Sequence, residues 1–281
     1  MGAYFVRRDS GEPLNRRVLS RYVQMSTAAG VTQAMFPEGG LTRDGMLRPP
    51  KLGLFSYMVS AFDPHGPRDI VFVPVGLNYD RVLEDRLQTG AIDTPAGAKP
   101  RFKFHPGVLA GFLLRQTWLR ITGRWHRFGY ACVSFGAPVS LRAYLSERRI
   151  DLRTMPPAER SREIAALGEL LMQRLGNVIP ALPVSLVATA FLDLPPDKQE
   201  LGLSGFELKG RVQALMDGLE NRDVHVHIPR QDREYAVDVG LRMLVLRHVV
   251  QERDGLYRIN PAEFVLLRYY ANSIAHLVHA S

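Results

Sequence analysis

Apolar and polar positions follow two different periods along this chain. Residues 14–29 place Leu14, Val18, Leu19, Tyr22, Val23 and Met25 near helical spacing, and residues 52–62, 108–122, 160–175, 205–219, 241–251 and 261–278 predict further helices. Residues 2–6 and 31–36 are short and β-prone. Residues 70–77 form an almost unbroken apolar run, and residues 130–135 form a second. Both read as strands buried on both faces, as a parallel sheet requires. Gly- and Pro-containing loops at 37–50 and 63–67 separate these segments. Over the first 136 residues the order is β, α, β, loop, α, β, α, β. That alternation predicts an α/β fold, a mostly parallel or mixed sheet flanked by helices. After about residue 150 the texture changes, with an apolar stretch at 184–192 and one alternating strand at 224–228 among helical patterns. The expected organisation is an α/β core over 1–150 and a mainly helical C-terminal region over 151–281.

Composition narrows the function classes. With 281 residues, 46% of them hydrophobic, the chain can bury a full core. Its single cysteine, Cys132, excludes an intramolecular disulfide framework and a cysteine-rich zinc module. No apolar run approaches the ~18 residues of a membrane span, and no signal-peptide pattern precedes Arg7 and Arg8. The expected location is cytoplasmic. The net charge of +8 arises from 36 Lys and Arg against 28 Asp and Glu, with Arg far in excess. Such a surface suits phosphorylated metabolites, anionic headgroups or nucleic acid, and guanidinium groups bind phosphate bidentately. Arginine bias in a GC-rich genome is the competing reading. Residues 101–127 interleave Arg101, Lys103, Arg115, Arg120, Arg124 and Arg127 with Phe102, Phe104, Phe112, Trp118 and Trp125. This pattern fits a membrane surface, an amphipathic helix packed on the sheet, or single-stranded nucleic acid. The anionic membrane surface is the expected partner, and nucleic acid is not.

The segment richest in chemistry is Phe36-Pro-Glu-Gly-Gly-Leu-Thr-Arg-Asp-Gly45, between a predicted strand and a predicted helix. Gly39 and Gly40 let backbone approach a ligand, and loop amides with Arg43 make a phosphate site. Glu38 stands where a hydroxyl-bearing substrate would be positioned. Taken alone, the loop also reads as an ordinary turn.

Three segments in order change that reading. Gly2-Ala-Tyr-Phe-Val-Arg-Arg8, Phe36-Pro-Glu-Gly-Gly-Leu-Thr-Arg43 and Val73-Pro-Val-Gly-Leu-Asn-Tyr79 resemble the second, third and fourth blocks of the glycerolipid acyltransferases. The nearest likeness is to the glycerol-3-phosphate 1-O-acyltransferases. Pro50-Lys-Leu-Gly53 and Val133-Ser-Phe-Gly-Ala-Pro-Val-Ser-Leu141 extend the resemblance. It implies transfer of a fatty acyl group from acyl-CoA or acyl carrier protein to glycerol-3-phosphate, in phospholipid biosynthesis, at the inner face of the cell membrane. The acyl thioester is a co-substrate, and neither a further cofactor nor a metal is implied. By the same resemblance Arg7 and Arg43 hold the acceptor's phosphate. Glu38, Gly39, Gly40 and Thr42 shape the acceptor site, and Pro74 lies beside the acyl channel.

Two departures from the family pattern stand out. Leu41 occupies a position that is usually Arg, for which Arg48 or Lys51 could substitute. The family's first block, His-x-x-x-x-Asp, supplies the general base and the acid that orients it. No histidine precedes His65 in this sequence, so no catalytic residue is assigned. The expectation is a start assigned at an internal Met, or a remnant that lost its base. The alternative function is a non-catalytic protein that binds a phospholipid precursor or acyl carrier on the same scaffold. His227-Ile-Pro-Arg-Gln-Asp232 has the first block's spacing, yet Pro229 argues against a helix joining the two side chains. His225 and His227 read instead as one face of a strand. His65, His276, His279 and Cys132 are expected to be structural or surface residues.

Overall fold

The computed structural model describes residues 12–90 and 129–279. The 2–6 strand, Arg7, the apolar segment that begins at Val108 and the basic–aromatic stretch 101–127 lie outside the described residues. The elements run α1 (Pro13–Ala28), α2 (Leu52–Val59), β1 (Val71–Phe72), β2 (Val75–Tyr79), α3 (Asp85–Gly90), β3 (Ala131–Phe135), β4 (Val139–Ser140), α4 (Leu141–Arg148) and α5 (Pro157–Gly176). They continue as α6 (Pro183–Leu192), α7 (Pro196–Leu201), β5 (Leu203–Ser204), α8 (Gly205–Glu220), α9 (Arg233–Leu246), β6 (Val250–Arg253), β7 (Leu256–Ile259) and α10 (Phe264–Val278). The chain is mixed α/β and divides into two compact units that interleave in sequence. In the described residues, one unit holds 12–41, 47–76 and 133–179, and the other holds 42–46, 77–90, 129–132 and 180–279.

In the first unit, α1 opens on Pro13, whose missing N–H falls where a helix has no acceptor to offer. Val23 is the buried residue of α1, which packs on α2. Phe55 and Val59 of α2 enter a core with Leu141, Leu145, Ile164 and Leu167 of α4 and α5. Ser140 caps α4 by accepting a hydrogen bond from the Ala143 N–H at 3.0 Å. Residues 31–36, expected as a strand, carry no ladder and run as loop.

The apolar run at 70–77 departs most from expectation. Pro74 has no N–H to give a ladder, and it splits the run into β1 and β2. Alternation then sets burial. Pro74, Gly76, Asn78 and Asp80 turn inward, while Val71, Val73, Val75, Leu77 and Tyr79 are exposed. The strand is therefore not covered on both faces. β2 pairs with β3. Gly136 N donates to Pro74 O and Asp80 N donates to Tyr130 O, each at 2.8 Å. These bonds lie at opposite ends of the pair with opposed register, so it is antiparallel. The β1–β4, β5–β7 and β6–β7 pairs are antiparallel too. Among the described residues the sheets are thus small and antiparallel, and the expected mostly parallel or mixed sheet is not seen there.

The second unit is built around α6, the apolar stretch at 184–192. Every residue from Pro183 to Phe191 is buried, as befits a helix apolar on all sides. α8, α9 and α10 pack on it, contributing Leu208, Val212, Leu244, Tyr270 and Ile274 to one core. The three-stranded sheet has the order β5-β7-β6. α8 begins with a capping box, Ser204 Oγ accepting from Glu207 N at 3.2 Å and Glu207 Oε2 accepting from Ser204 N at 3.0 Å. The helix expected at 241–251 starts and ends earlier. Asp232 accepts from Tyr235 N at 3.0 Å and fixes the start of α9 at Arg233, while residues 250–253 leave the helix for β6. The strand expected at 224–228 reduces to one parallel bridge, Ala181 with Val226.

Candidate functional site

The first half of the glycine loop belongs to the first unit. Gly39 N donates to Phe36 O at 3.0 Å, and Lys51 N donates to Pro37 O at 2.8 Å, closing the loop on itself. Gly39 has φ of +64°, and a Cβ there would stand 2.6 Å from Lys51 Cδ. Only glycine lets the Lys51 stem lie across the loop backbone, with its ammonium at the rim. Gly40 is exposed, and a Cβ built on it meets nothing within 4 Å, so the loop has open space there. Glu38 is half-buried. Burial pushes its carboxyl above the ordinary value, while the Arg48 charge and backbone N–H pull it back. The Arg48 guanidinium donates to Leu41 O at 3.4 Å.

The second half, residues 42–46, belongs to the other unit and is bonded internally. Thr42 Oγ1 lies 2.9 Å from Asp44 Oδ1 and 3.0 Å from Met46 O, and accepts from Gly45 N at 3.0 Å. Asp44 Oδ1 also accepts from Met46 N at 3.1 Å. Thr42 thus spends its hydroxyl on the shape of the turn. Arg43 is exposed at the turn's crest. Asn272 Nδ2 on α10 donates to Asp44 O at 2.7 Å. Gly45, at φ +86°, lies against α10 so closely that a Cβ would stand 2.0 Å from Tyr269 O.

Pro74 is buried in the first unit, with Val73, Val75, Val133 and Phe135 of the same unit facing outward. Glu38, Gly39, Gly40 and Lys51 are therefore brought together. Thr42 and Arg43 share the self-closed turn of the second unit, and Pro74 stands in the strand region of the first.

A family model described as the glycerol-3-phosphate acyltransferase C-terminal region matches residues 119–281. The chain belongs to the glycerol-3-phosphate acyltransferase family. A second model, described as acyltransferase, matches residues 1–78, which include the glycine loop. Among curated relatives, a glycerol-3-phosphate acyltransferase of Pseudomonas fluorescens is 29% identical over 98% of this chain and 32% of its own length. One of Pseudomonas syringae pv. syringae is 28% identical over the same shares. One of Aeromonas hydrophila is 26% identical over 98% of this chain and 33% of its own length. The chain spans about a third of the length of these relatives.

Within this family the histidine question takes a definite form. The His227–Asp232 spacing matches the first block, but Asp232 caps α9 through Tyr235 N. The His227 ring packs on Tyr130 at 4.9 Å between centroids. Burial, then the His225 charge, lowers the His227 pKa. The two side chains serve different elements and form no dyad. Among the described residues no group of three or more His, Cys, Asp or Glu could hold a metal ion. In the same residues no helix is long and apolar enough to cross a membrane. Asn272 could not have been picked from the sequence. It lies 228 residues from the Asp44 carbonyl it holds, and nothing local marks it.

Proposed function

We propose that the chain is the acceptor-binding part of an acyltransferase that esterifies glycerol-3-phosphate from acyl-CoA or acyl carrier protein. The carrying observation is the basic rim on the glycine loop. Arg48 reaches the carbonyl of Leu41, the position at which the resemblance implies an arginine, and the Lys51 stem lies across Gly39. Both supply positive charge to a loop open at Gly40, which suits a dianionic phosphate. Arg43 and Arg7 would add further guanidinium contacts. Glu38 and Thr42 would shape the site. In the transfer the acceptor's hydroxyl oxygen bonds to the acyl carbonyl carbon, the thioester C–S bond breaks, and the thiol leaves with the proton the hydroxyl gives up. We assign no general base to this chain. The outward apolar residues Val73, Val75, Val133 and Phe135, beside Pro74, suit the acyl chain of the donor.

Calorimetric titration tests acceptor binding. Wild-type chain should bind glycerol-3-phosphate and not glycerol, and Arg48→Ala or Lys51→Ala should weaken binding roughly tenfold each. Turnover is read with labelled acyl-CoA, on chain expressed with any coding sequence in frame ahead of Met1. Absence of both binding and product would end this reading. Binding without product would favour a non-catalytic carrier of phospholipid precursors.

The partner surface we propose is an anionic bilayer, at the inner face of the cell membrane. α1 supports it. Leu14, Val18, Tyr22 and Met25 are more than half exposed along one side, Arg16, Arg17 and Arg21 are exposed, and the helix holds no acidic residue. An exposed apolar stripe edged by arginine is the pattern of a helix lying in a bilayer interface. The chain should sediment with vesicles containing phosphatidylglycerol and not with phosphatidylcholine alone. Leu14→Asp/Val18→Asp should remove that binding, and equal binding by this variant would refute the assignment to α1.

A further inference from the structure

We propose that Asn272, on the C-terminal helix α10, is a positioning residue for Arg43 in acceptor binding. The proposal rests on the reading above that Arg43 holds the acceptor's phosphate. The turn that carries Arg43 has two kinds of support. Its internal bonds, from Thr42 Oγ1 and Asp44 Oδ1, close residues 42–46 into a compact unit. Its outer support includes α10. Asn272 Nδ2 donates to Asp44 O at 2.7 Å, and one turn of helix earlier the Tyr269 carbonyl packs against Gly45.

The Asp44–Gly45 peptide is the point at which this turn can change shape. Gly45 sits at φ +86°, and glycine passes readily between positive and negative φ. Tyr269 leaves no space for a side chain at Gly45, so the close approach demands glycine and admits its freedom with it. The Asn272 amide fixes which way the Asp44 carbonyl points and so selects one form of the turn. α10 is itself well anchored. Tyr269 OH donates to Gln88 Oε1 at 3.0 Å, and the Tyr270 hydroxyl is held by Asp85 and Arg247. The crest bearing Arg43 is thereby referred to a rigid helix. A guanidinium held in place before the ligand arrives loses less freedom on binding. This gives the region matched by the C-terminal family model a part in acceptor recognition, through a residue that need not touch the ligand.

The test is a double-mutant cycle read as glycerol-3-phosphate affinity by calorimetry, on the full chain, with melting curves to establish folding. Asn272→Ala should raise the dissociation constant about fivefold, the worth of one hydrogen bond. Asn272→Asp keeps size and shape and turns an oxygen toward the Asp44 carbonyl, so it should weaken binding at least as much. A role in packing alone would leave Asn272→Asp close to wild type. In an Arg43→Ala background neither change should weaken binding further, because Asn272 acts through Arg43. Wild-type affinity in both Asn272 variants would overturn the proposal, as would an undiminished loss in the Arg43→Ala background. If Arg43→Ala alone leaves affinity unchanged, the assignment of Arg43 to the phosphate fails first and the proposal falls with it.

Discussion

Replacing Arg247 by methionine should lower the unfolding free energy by about 3–5 kcal/mol. Arg247 grips Asp85 with both terminal nitrogens, Nη1 to Oδ2 at 2.7 Å and Nη2 to Oδ1 at 2.9 Å. Nη1 also lies 2.7 Å from the Tyr270 hydroxyl, which donates to Asp85. The Arg247 and Asp85 side chains are only 11% and 3% exposed. Val82 N donates to the same hydroxyl at 3.2 Å, so the cluster ties residues 82–90 to α9 and α10. Methionine fills much of the volume but leaves the Asp85 carboxylate buried without its cation, and that uncompensated charge sets the size of the loss. Adding Asp85→Asn should recover a substantial part, because the stranded charge is then gone. Urea unfolding followed by far-UV circular dichroism measures both. A single variant within about 0.5 kcal/mol of wild type would show that the pair behaves as a surface contact.

Asp80 should give the chain a pH dependence of opposite sign to that of an ordinary paired carboxylate. It is 1% exposed, and it accepts hydrogen bonds from Val184 N and Tyr130 N, each at 2.9 Å. The first of these caps the start of α6. Burial raises the carboxyl from 3.8 to about 6, against the two N–H bonds, which lower it. The folded chain therefore holds this proton more tightly than the unfolded chain. Its contribution is fully present below the unfolded value and is lost as pH rises through the folded one. The span corresponds to about 3 kcal/mol. Asp80→Asn does not titrate, so the stability of wild type minus that of the variant should fall by roughly 2 kcal/mol of this between pH 4 and pH 7. A flat difference would mean that the carboxyl ionises in the folded chain as it does in the unfolded one.

Much of the local structure was legible in the linear pattern. Helical spacing located α1, α2, α5, α8 and α10, and the apolar run at 130–135 located β3. The ordered blocks from Gly2 to Tyr79 pointed to the family that the comparisons then showed. Boundaries fared worse where a single side chain decides them. The Asp232 cap moved the start of α9, and residues 31–36 have β-prone side chains but no partner strand among the described residues. The burial of the strand at 70–77 differs from the linear pattern for a more general reason. An apolar run says which residues avoid water in isolation, and not which face a neighbour covers. Pro74 broke the ladder, and alternation turned valines outward and Gly76, Asn78 and Asp80 inward.

The sequence by itself determined the family, the glycine loop with its basic neighbours, and most of the helices. All of these depend on residues close together in the chain, where spacing is the physics. Only the tertiary structure decided that Asn272 holds the Asp44 carbonyl, that Arg247 neutralises Asp85, and that Asp80 caps α6. It also separated His227 from Asp232 in role, giving one to Tyr130 and the other to α9. The pairings of Asn272, Arg247 and Asp80 are set by how distant segments pack, and for the carboxylates of Asp85 and Asp80 burial turns a weak solvated contact into one that determines the local structure.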